Sequence, residues 1–146
     1  MLAEGIYSVL SSNAGLQALL GTVATRSDKT TGIFPMIAPD EVPMPYLVFQ
    51  QVSGQPLQTS MQGTGPLRTE RWRFSCYGTT YKNAAELGRV LNQAMISIIG
   101  TLPAGEAYVQ GVWEKLAADD TEEVLHATIY ANQRDYEIVY VDGDVA

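Results

Sequence analysis

Two contrasting hydrophobic patterns adjoin each other in the middle of the chain, at residues 69–77 and 80–99. In the first, Trp72, Phe74 and Cys76 alternate with polar residues, and this period of two predicts a strand with one buried and one polar face. In the second, apolar residues recur at helical spacing and charged residues lie opposite them. A half-buried strand beside an amphipathic helix favours helices packed on one face of a sheet. The apolar stripe of the helix comprises Ala84, Leu87, Gly88, Leu91, Ala94, Met95 and Ile98.

The ends of this helix can be predicted as well. Thr80 is suited to cap its N-terminus, and Gly100 and Pro103 stop it. Ala84 and Gly88 are small residues on the buried stripe, so we expect the helix to approach the sheet closely there.

The N-terminal residues predict a helix in two pieces. The sequence Ser11-Ser-Asn13 interrupts the first piece, and Asn13 can cap the second, which Gly21 can end. The apolar positions are Leu2, Ile6, Val9 and Leu10 in the first piece and Leu16, Leu19 and Leu20 in the second.

The remaining segments complete a mostly antiparallel sheet. Residues 46–53 and 107–116 are typical strands. Residues 34–45 contain four prolines, which predicts a stiff extended connector, and the acidic run 119–123 is interpreted as a solvated turn. The predicted fold is therefore α+β: a two-layer sandwich of a mostly antiparallel four-stranded sheet with two main helices on one face.

The last predicted strand, residues 124–141, changes phase. Its apolar residues occupy odd positions up to Ala131 and even positions from Tyr136 onwards. One extra residue near Asn132 would produce this shift, so the segment is interpreted as one bulged strand, with two shorter strands as the alternative.

An unusually long connection, residues 54–67, separates the strands at 46–53 and 69–77. Its sequence, GQPLQTSMQGTGPL, carries no charge, whereas a tight hairpin needs only about two to five connecting residues. The segment also contains three apolar residues that a solvent-exposed loop without a binding partner would not favour: Leu57, Met61 and Leu67. The segment has no acid, base or nucleophile suited to catalysis, so we interpret it as an extended hairpin loop that orders against a partner.

Size and charge restrict the possible functions. A chain of 146 residues is expected to form a single domain, residues 1–146. Its net charge is −7, and residues 106–146 alone hold ten acids against Lys115 and Arg134. Such a protein repels phosphate, so tight binding of nucleic acid is not expected. No apolar run is long enough to span a bilayer, and no basic signal-peptide region precedes residue 7, so we expect a cytosolic protein without a membrane partner.

Catalytic and metal-binding signals are weak. Cys76 is interpreted as a small buried apolar residue, and His126, the single histidine, has no partners patterned around it as a triad requires. We therefore predict no enzyme, no cofactor and no metal site. A small-ligand domain remains an alternative and would need a pocket lined by Tyr77, Tyr81, Trp113 and His126.

Charge on and around the strand at 69–77 offers two interpretations. Arg71 and Arg73 share its polar face and Arg68 precedes it, which fits a solvated face or acid partners across an interface better than a phosphate patch. A basic patch that meets an acidic patch head-to-tail can generate a ring. The candidate acids for such an interface are Asp119, Asp120, Glu122 and Glu123.

Three segments carry a family resemblance. The sequences "YSVLSSNAGLQALLG", "IFPMIAPDEVPMPYLVFQQVSG" and "RWRFSCYGTTYKNAAELGRVLNQAM" resemble the tail-completion, or tail terminator, proteins of long-tailed phages and prophages. The resemblance is best over residues 6–20, 33–54 and 68–95, about half of the chain. The C-terminal third matches only in its order of elements.

The resemblance implies a structural protein of the virion, at the tail neck, that assembles in the host cytoplasm. It implies a homohexameric ring that caps the head-proximal end of the tail tube, ends its polymerisation and joins the tail to the head connector. The implied partners are other copies of the chain, the major tail tube protein and the head–tail connector protein, with genomic DNA passing through the lumen without tight binding. Another neck or tail-tube component is the alternative.

Overall fold

A computed structural model describes residues 2–21, 26, 30–36, 45–56, 67–101, 107–124 and 127–142. These ranges form three helices and six strands. The helices are α1 (Leu2–Ser12), α2 (Ala14–Leu20) and α3 (Tyr81–Ile96); the strands are β1 (Ile33–Pro35), β2 (Tyr46–Pro56), β3 (Leu67–Gly78), β4 (Gly100–Thr101), β5 (Ala107–Val124) and β6 (Ala127–Asp142).

The strands form one sheet in the order β1-β2-β3-β6-β5-β4. Only β1 and β2 pair in parallel, and all other pairs are antiparallel. The α+β class and the mostly antiparallel sheet are confirmed, but four strands was wrong because the described sheet has six. The two additional strands, β1 and β4, have three and two residues, which is too short to show a period of two.

The helix boundaries predicted at Asn13, Gly21 and Thr80 are confirmed, whereas α3 ends at Ile96 with Ser97 as its C-cap, before the Gly100 that was predicted to stop it. The Asn13 side chain accepts a hydrogen bond from the Leu16 amide, and Gly21 ends α2 with a φ of 88°, a conformation that glycine adopts without strain. Thr80 caps α3 in the same way, by accepting from the Asn83 amide. The break at Asn13 divides the N-terminal helix into α1 and α2, so three helices stand where two main helices were predicted.

The core lies between the helices and one face of the sheet. Trp72, Phe74 and Cys76 are buried as the alternation predicts, and Phe74 packs edge-on against Tyr136 with ring centroids 5.7 Å apart. All three helices contribute to the same cluster, through side chains such as Leu10, Leu16, Leu91 and Met95.

Gly88 brings α3 into close contact with β6. A Cβ atom at this position would lie 2.1 Å from Oδ1 of Asn132 and 2.9 Å from Nε of Arg134. The expectation that a small residue here permits close approach is therefore confirmed.

The C-terminal hairpin differs from its prediction. β6 pairs with β3 from Leu67–Val141 to Gly78–Tyr130 without a register shift, so the bulge predicted near Asn132 is absent and the segment is one regular strand. The register shifts of the β5–β6 pair lie in β5, where Gln110 and Lys115 are the extra residues. The apolar residues of β6 change face because its first half buries Asn132 under α3, whereas its second half buries Tyr136, Ile138 and Tyr140.

Candidate assembly surfaces

Two arginines converge on one carboxylate on the sheet face that points away from the helices. Arg73 donates from Nε to Oδ1 of Asp135 at 2.9 Å and from Nη2 to Oδ2 at 3.1 Å. Arg71 donates from Nε to Oδ2 at 3.1 Å, and its Nη2 lies 2.9 Å from the same oxygen. The alternation of β3 places both arginines on this face, and the register sets Arg73 directly opposite Asp135.

The carboxylate of this cluster is fully buried although it lies on the outer face. Its side chain is 0% exposed, while those of Arg71 and Arg73 are 40% and 32% exposed. Burial by itself would raise the pKa of Asp135, but hydrogen bonds and charge from Arg73 and Arg71 outweigh burial and lower this pKa below its ordinary value. Asp135 is therefore ionised at neutral pH, and the cluster has a surplus of one positive charge.

Arg68 is not part of this cluster. It pairs with Tyr140 in the β3–β6 register, and strand alternation places it on the helix side of the sheet, with Glu70. Glu70 is buried and accepts hydrogen bonds from Nε1 of Trp72 at 3.0 Å and from the Tyr140 hydroxyl. Burial, and then Glu70, raise the pKa of Tyr140. The three arginines thus lie on two different faces.

The acidic run 119–123 is part of a strand and not a turn, so that interpretation was wrong. Asp119 through Glu123 belong to β5 and pair with β6, for example Asp119 with Asn132 and Glu122 with Ile129. Acidic residues are poor strand formers, but a continuous ladder to β6 outweighs this preference.

Asp119 anchors a polar network between the hairpin and α3. It accepts from the Tyr81 hydroxyl at 3.1 Å and from Nδ2 of Asn132 at 2.8 Å. Asn132 in turn accepts from Nε of Arg134 at 2.8 Å, and Arg134 donates to Glu114 at 3.2 Å. Asp119 and Glu114, like Asp135, are therefore already engaged within the protomer.

The predicted loop is shorter than expected and most of it lies outside the described residues. Gly54, Gln55 and Pro56 extend β2 and pair with Glu70, Thr69 and Arg68, so the connection narrows to residues 57–66. Leu57 and Met61 fall within it and are not described. Leu67 begins β3, opposite Val141.

The aromatic residues of the small-ligand alternative do not share a pocket. Tyr77 stacks on Tyr46 with ring centroids 4.8 Å apart, Tyr81 begins α3, and Trp113 stands 51% exposed in β5. Tyr77 and Trp113 are on one face of the sheet, where their partners on β6 are Ala131 and Glu137. These partners are six residues apart along the strand, and a strand rises about 3.3 Å per residue, so the two side chains are about 20 Å apart. His126 lies outside the described residues.

Chemical signals are weak in the part of the chain that is described. Cys76 is buried as predicted, and burial raises the pKa of its thiol to about 12, so it is a thiol and not a thiolate. Within the described ranges, no three His, Cys, Asp or Glu side chains are grouped to hold a metal ion. Among the described helices, none is long and apolar enough to cross a membrane.

Two surface features were missed by the sequence reasoning. One is an apolar groove between α1 and the β1–β2 edge, lined by Glu4, Tyr7, Ile33, Pro35 and Phe49, with a volume of about 420 Å³. It depends on β1, of which Phe34 and Pro35 were interpreted as part of a proline-rich connector. The other is the exposed Trp113. The sequence signal that could have indicated it is Gly111, which lies two residues earlier on the same face of the strand and leaves room for the indole.

Comparisons with known proteins give a family from one source and a fold from another. The family model described as tail completion protein gp17 matches residues 4–128. A solved structure titled "Virion of native gene transfer agent (GTA) particle" contains a chain with a TM-score of 0.65 and 16% sequence identity, over 94% of this chain and 92% of that one. At this identity the likeness concerns the fold. The comparison with curated proteins gave no match.

Proposed function

This chain belongs to the tail completion protein gp17 family, and on that premise we propose that it forms a ring that caps the head-proximal end of a phage tail tube. Membership makes it a structural protein of the virion and not an enzyme. In the proposed role the ring ends tube polymerisation and joins the tail to the head connector at the neck, after assembly in the host cytoplasm. The family match over residues 4–128 is the observation that carries the proposal.

The charge of the chain is compatible with a ring through which DNA passes. With a net charge of −7, protomers in a ring offer few sites for phosphate neutralisation, which is the main source of non-specific DNA affinity. In the most basic described cluster, Arg71 with Arg73, the carboxylate of Asp135 already neutralises one of the two positive charges.

We assign the contacts of the ring to two sets of residues. The first is the connection 57–66, which bears Leu57 and Met61, together with Leu67 at the start of β3; this set would contact the next subunit or the tube protein. The second is electrostatic: the surplus positive charge at Arg71 and Arg73, with Arg68 near it in sequence, would meet the acids of a neighbour's β5–β6 hairpin. These acids are Asp119, Asp120, Glu122 and Glu123.

The ring itself is tested by native mass spectrometry and electron microscopy of the purified protein, alone and with the tail tube protein. We expect closed rings, with six subunits as the leading stoichiometry, that bind one end of the tube and stop its growth. A protein that stays monomeric at high concentration, with tube protein present, would contradict the proposal. Filaments formed by the pure protein would instead favour a tail-tube component, the second candidate.

The electrostatic contact is best tested on the acidic side. Reversing Arg71 or Arg73 would also disturb the buried Asp135 within the same protomer, so loss of assembly would be ambiguous. Changing Asp120→Asn, Glu122→Gln and Glu123→Gln together leaves the Asp135 cluster intact. We expect ring assembly to weaken about tenfold at low salt and the difference from wild type to shrink as salt is added.

The matched control is Glu86→Gln, which removes an acid that pairs within α3 with Arg89. It should leave assembly unchanged. If the triple variant assembles as the wild type does at every salt concentration, the acidic hairpin is not part of the interface.

A further inference from the structure

A tryptophan near one edge of the sheet is packed against the backbone while about half of its surface is exposed to solvent. Trp113 is 51% exposed and lies in β5 opposite Glu137, on the face away from the helices. A Cβ atom at Gly111 would lie 2.5 Å from Cη2 of Trp113 and 3.0 Å from its Cζ3. The indole therefore covers Gly111, and a larger residue there would displace it.

The apolar groove lies at the other end of the sheet. Tyr7, Ile33, Pro35 and Phe49 supply its apolar surface, and Glu4 is the one charged residue among those that line it in the described part of the chain. The Tyr7 hydroxyl is 2.9 Å from Oγ1 of Thr31, which fixes this wall. The groove is open to solvent, and its volume of about 420 Å³ lies within the size range of ligand pockets, about 300–1,000 Å³.

The positions of these two features determine what kind of contact they can make. The strand order β1-β2-β3-β6-β5-β4 separates the groove at β1 from Trp113 in β5 by the width of the sheet, so Trp113 cannot fill the groove of its own protomer. A contact between two different patches of identical subunits is head-to-tail, and it gives a ring where the rotation between subunits closes and an open filament where it does not.

We propose that Trp113 of each protomer inserts into the groove of the next copy of this chain. The indole contributes a large apolar surface and one N–H donor, and the groove offers apolar walls with the Glu4 carboxylate as acceptor. Lys115 supplies the complementary charge: its side chain is 44% exposed, and its Nζ lies 3.7 Å from Oε2 of Glu137, a long ion pair within the protomer. This contact rests on the proposed ring and names the residues that join one subunit to the next.

The first test removes the tryptophan. Because buried aromatic anchors dominate interface energies, Trp113→Ala should weaken association between protomers by about 30-fold or more, measured by sedimentation and native mass spectrometry over a concentration series. Far-UV circular dichroism should not change, since the side chain is outside the core. Ile99→Ala is the matched control: Ile99 is 52% exposed and belongs to neither surface. A Trp113→Ala protein that assembles as tightly as wild type overturns the proposal.

The second test identifies the partners across the contact while Trp113 is kept. Glu4→Cys and Lys115→Cys replace the proposed ion pair, and the native Cys76 is buried and so is protected from disulfide exchange. Under mild oxidation the double variant should give a ladder of covalent multimers up to the full ring. An equal mixture of the two single variants should stop at covalent dimers, as a head-to-tail contact requires.

The outcomes separate this contact from the proposed function. Rings that form at the native mass without the Glu4–Lys115 crosslink would leave the ring in place and overturn this contact. A wild-type protein that forms no ring, alone or with tube protein, would refute the proposed function and this contact with it.

Discussion

Replacing residues 57–65 by the dipeptide Asn-Gly is expected to abolish binding to the tail tube or ring assembly while the protomer stays folded. The structure makes the replacement feasible because Pro56 pairs with Arg68 across the base of the connection. Asn-Gly followed by the retained Pro66 and Leu67 gives a four-residue loop, a length that hairpins commonly use. The free energy of unfolding, measured in urea, should change by less than about 1 kcal/mol, since shortening a loop alters closure entropy only slowly.

A second variant separates loop length from side-chain chemistry. Gly-Ser repeats in place of residues 57–65 keep the length and remove Leu57 and Met61. If those side chains make the contact, this variant should lose assembly, as the shortened variant does. Assembly of the shortened variant at wild-type affinity would show that the loop has no part in the interface.

The helices and central strands could be predicted from the sequence because local signals and tertiary packing agree there. Asn13, Gly21 and Thr80 cap or end helices through their own backbone and side-chain chemistry. The alternation in β3 survives in the structure because one of its faces packs on α3 and the other is polar. The structure at such positions can be predicted from neighbouring residues in the sequence alone.

The C-terminal hairpin could not be predicted in the same way, because its partners decide its structure. The acids from Asp119 to Glu123 are typical of a turn when considered alone, yet each pairs with a residue of β6. The phase change near Asn132 suggested a bulge, but it reflects a change in what lies above β6, from the polar network at the start of α3 to the apolar core.

The candidate surfaces were predicted only in part. The sequence indicated that Arg71 and Arg73 share a face and have acid partners, but not that Asp135, 62 residues from Arg73, lies between them. Proximity in sequence suggested that Arg68 belonged with them, whereas its even position places it on the other side of the sheet. The groove between α1 and β1 depends on which elements become neighbours, and no local pattern reports that.

Gly88→Ala is expected to destabilise the protomer by crowding Asn132 on β6. A Cβ atom here would lie 2.1 Å from Oδ1 of Asn132, and overpacking of this kind costs about 1–3 kcal/mol. Asn132 is 6% exposed and holds both Asp119 and Arg134, so its displacement also disturbs buried hydrogen bonds. The better helix propensity of alanine offsets about 1 kcal/mol, and we expect a net loss of about 2 kcal/mol in the free energy of unfolding.

A double-mutant cycle with Asn132→Ala shows whether close packing is the cause. Removing the amide makes room for the new methyl group, so Gly88→Ala should cost at least about 1 kcal/mol less in that background than in the wild type. The nearest remaining atom, Nε of Arg134 at 2.9 Å, belongs to a flexible side chain that can move away. If the two changes are additive within about 0.5 kcal/mol, the cost of alanine at position 88 does not arise from the contact between α3 and Asn132 on β6.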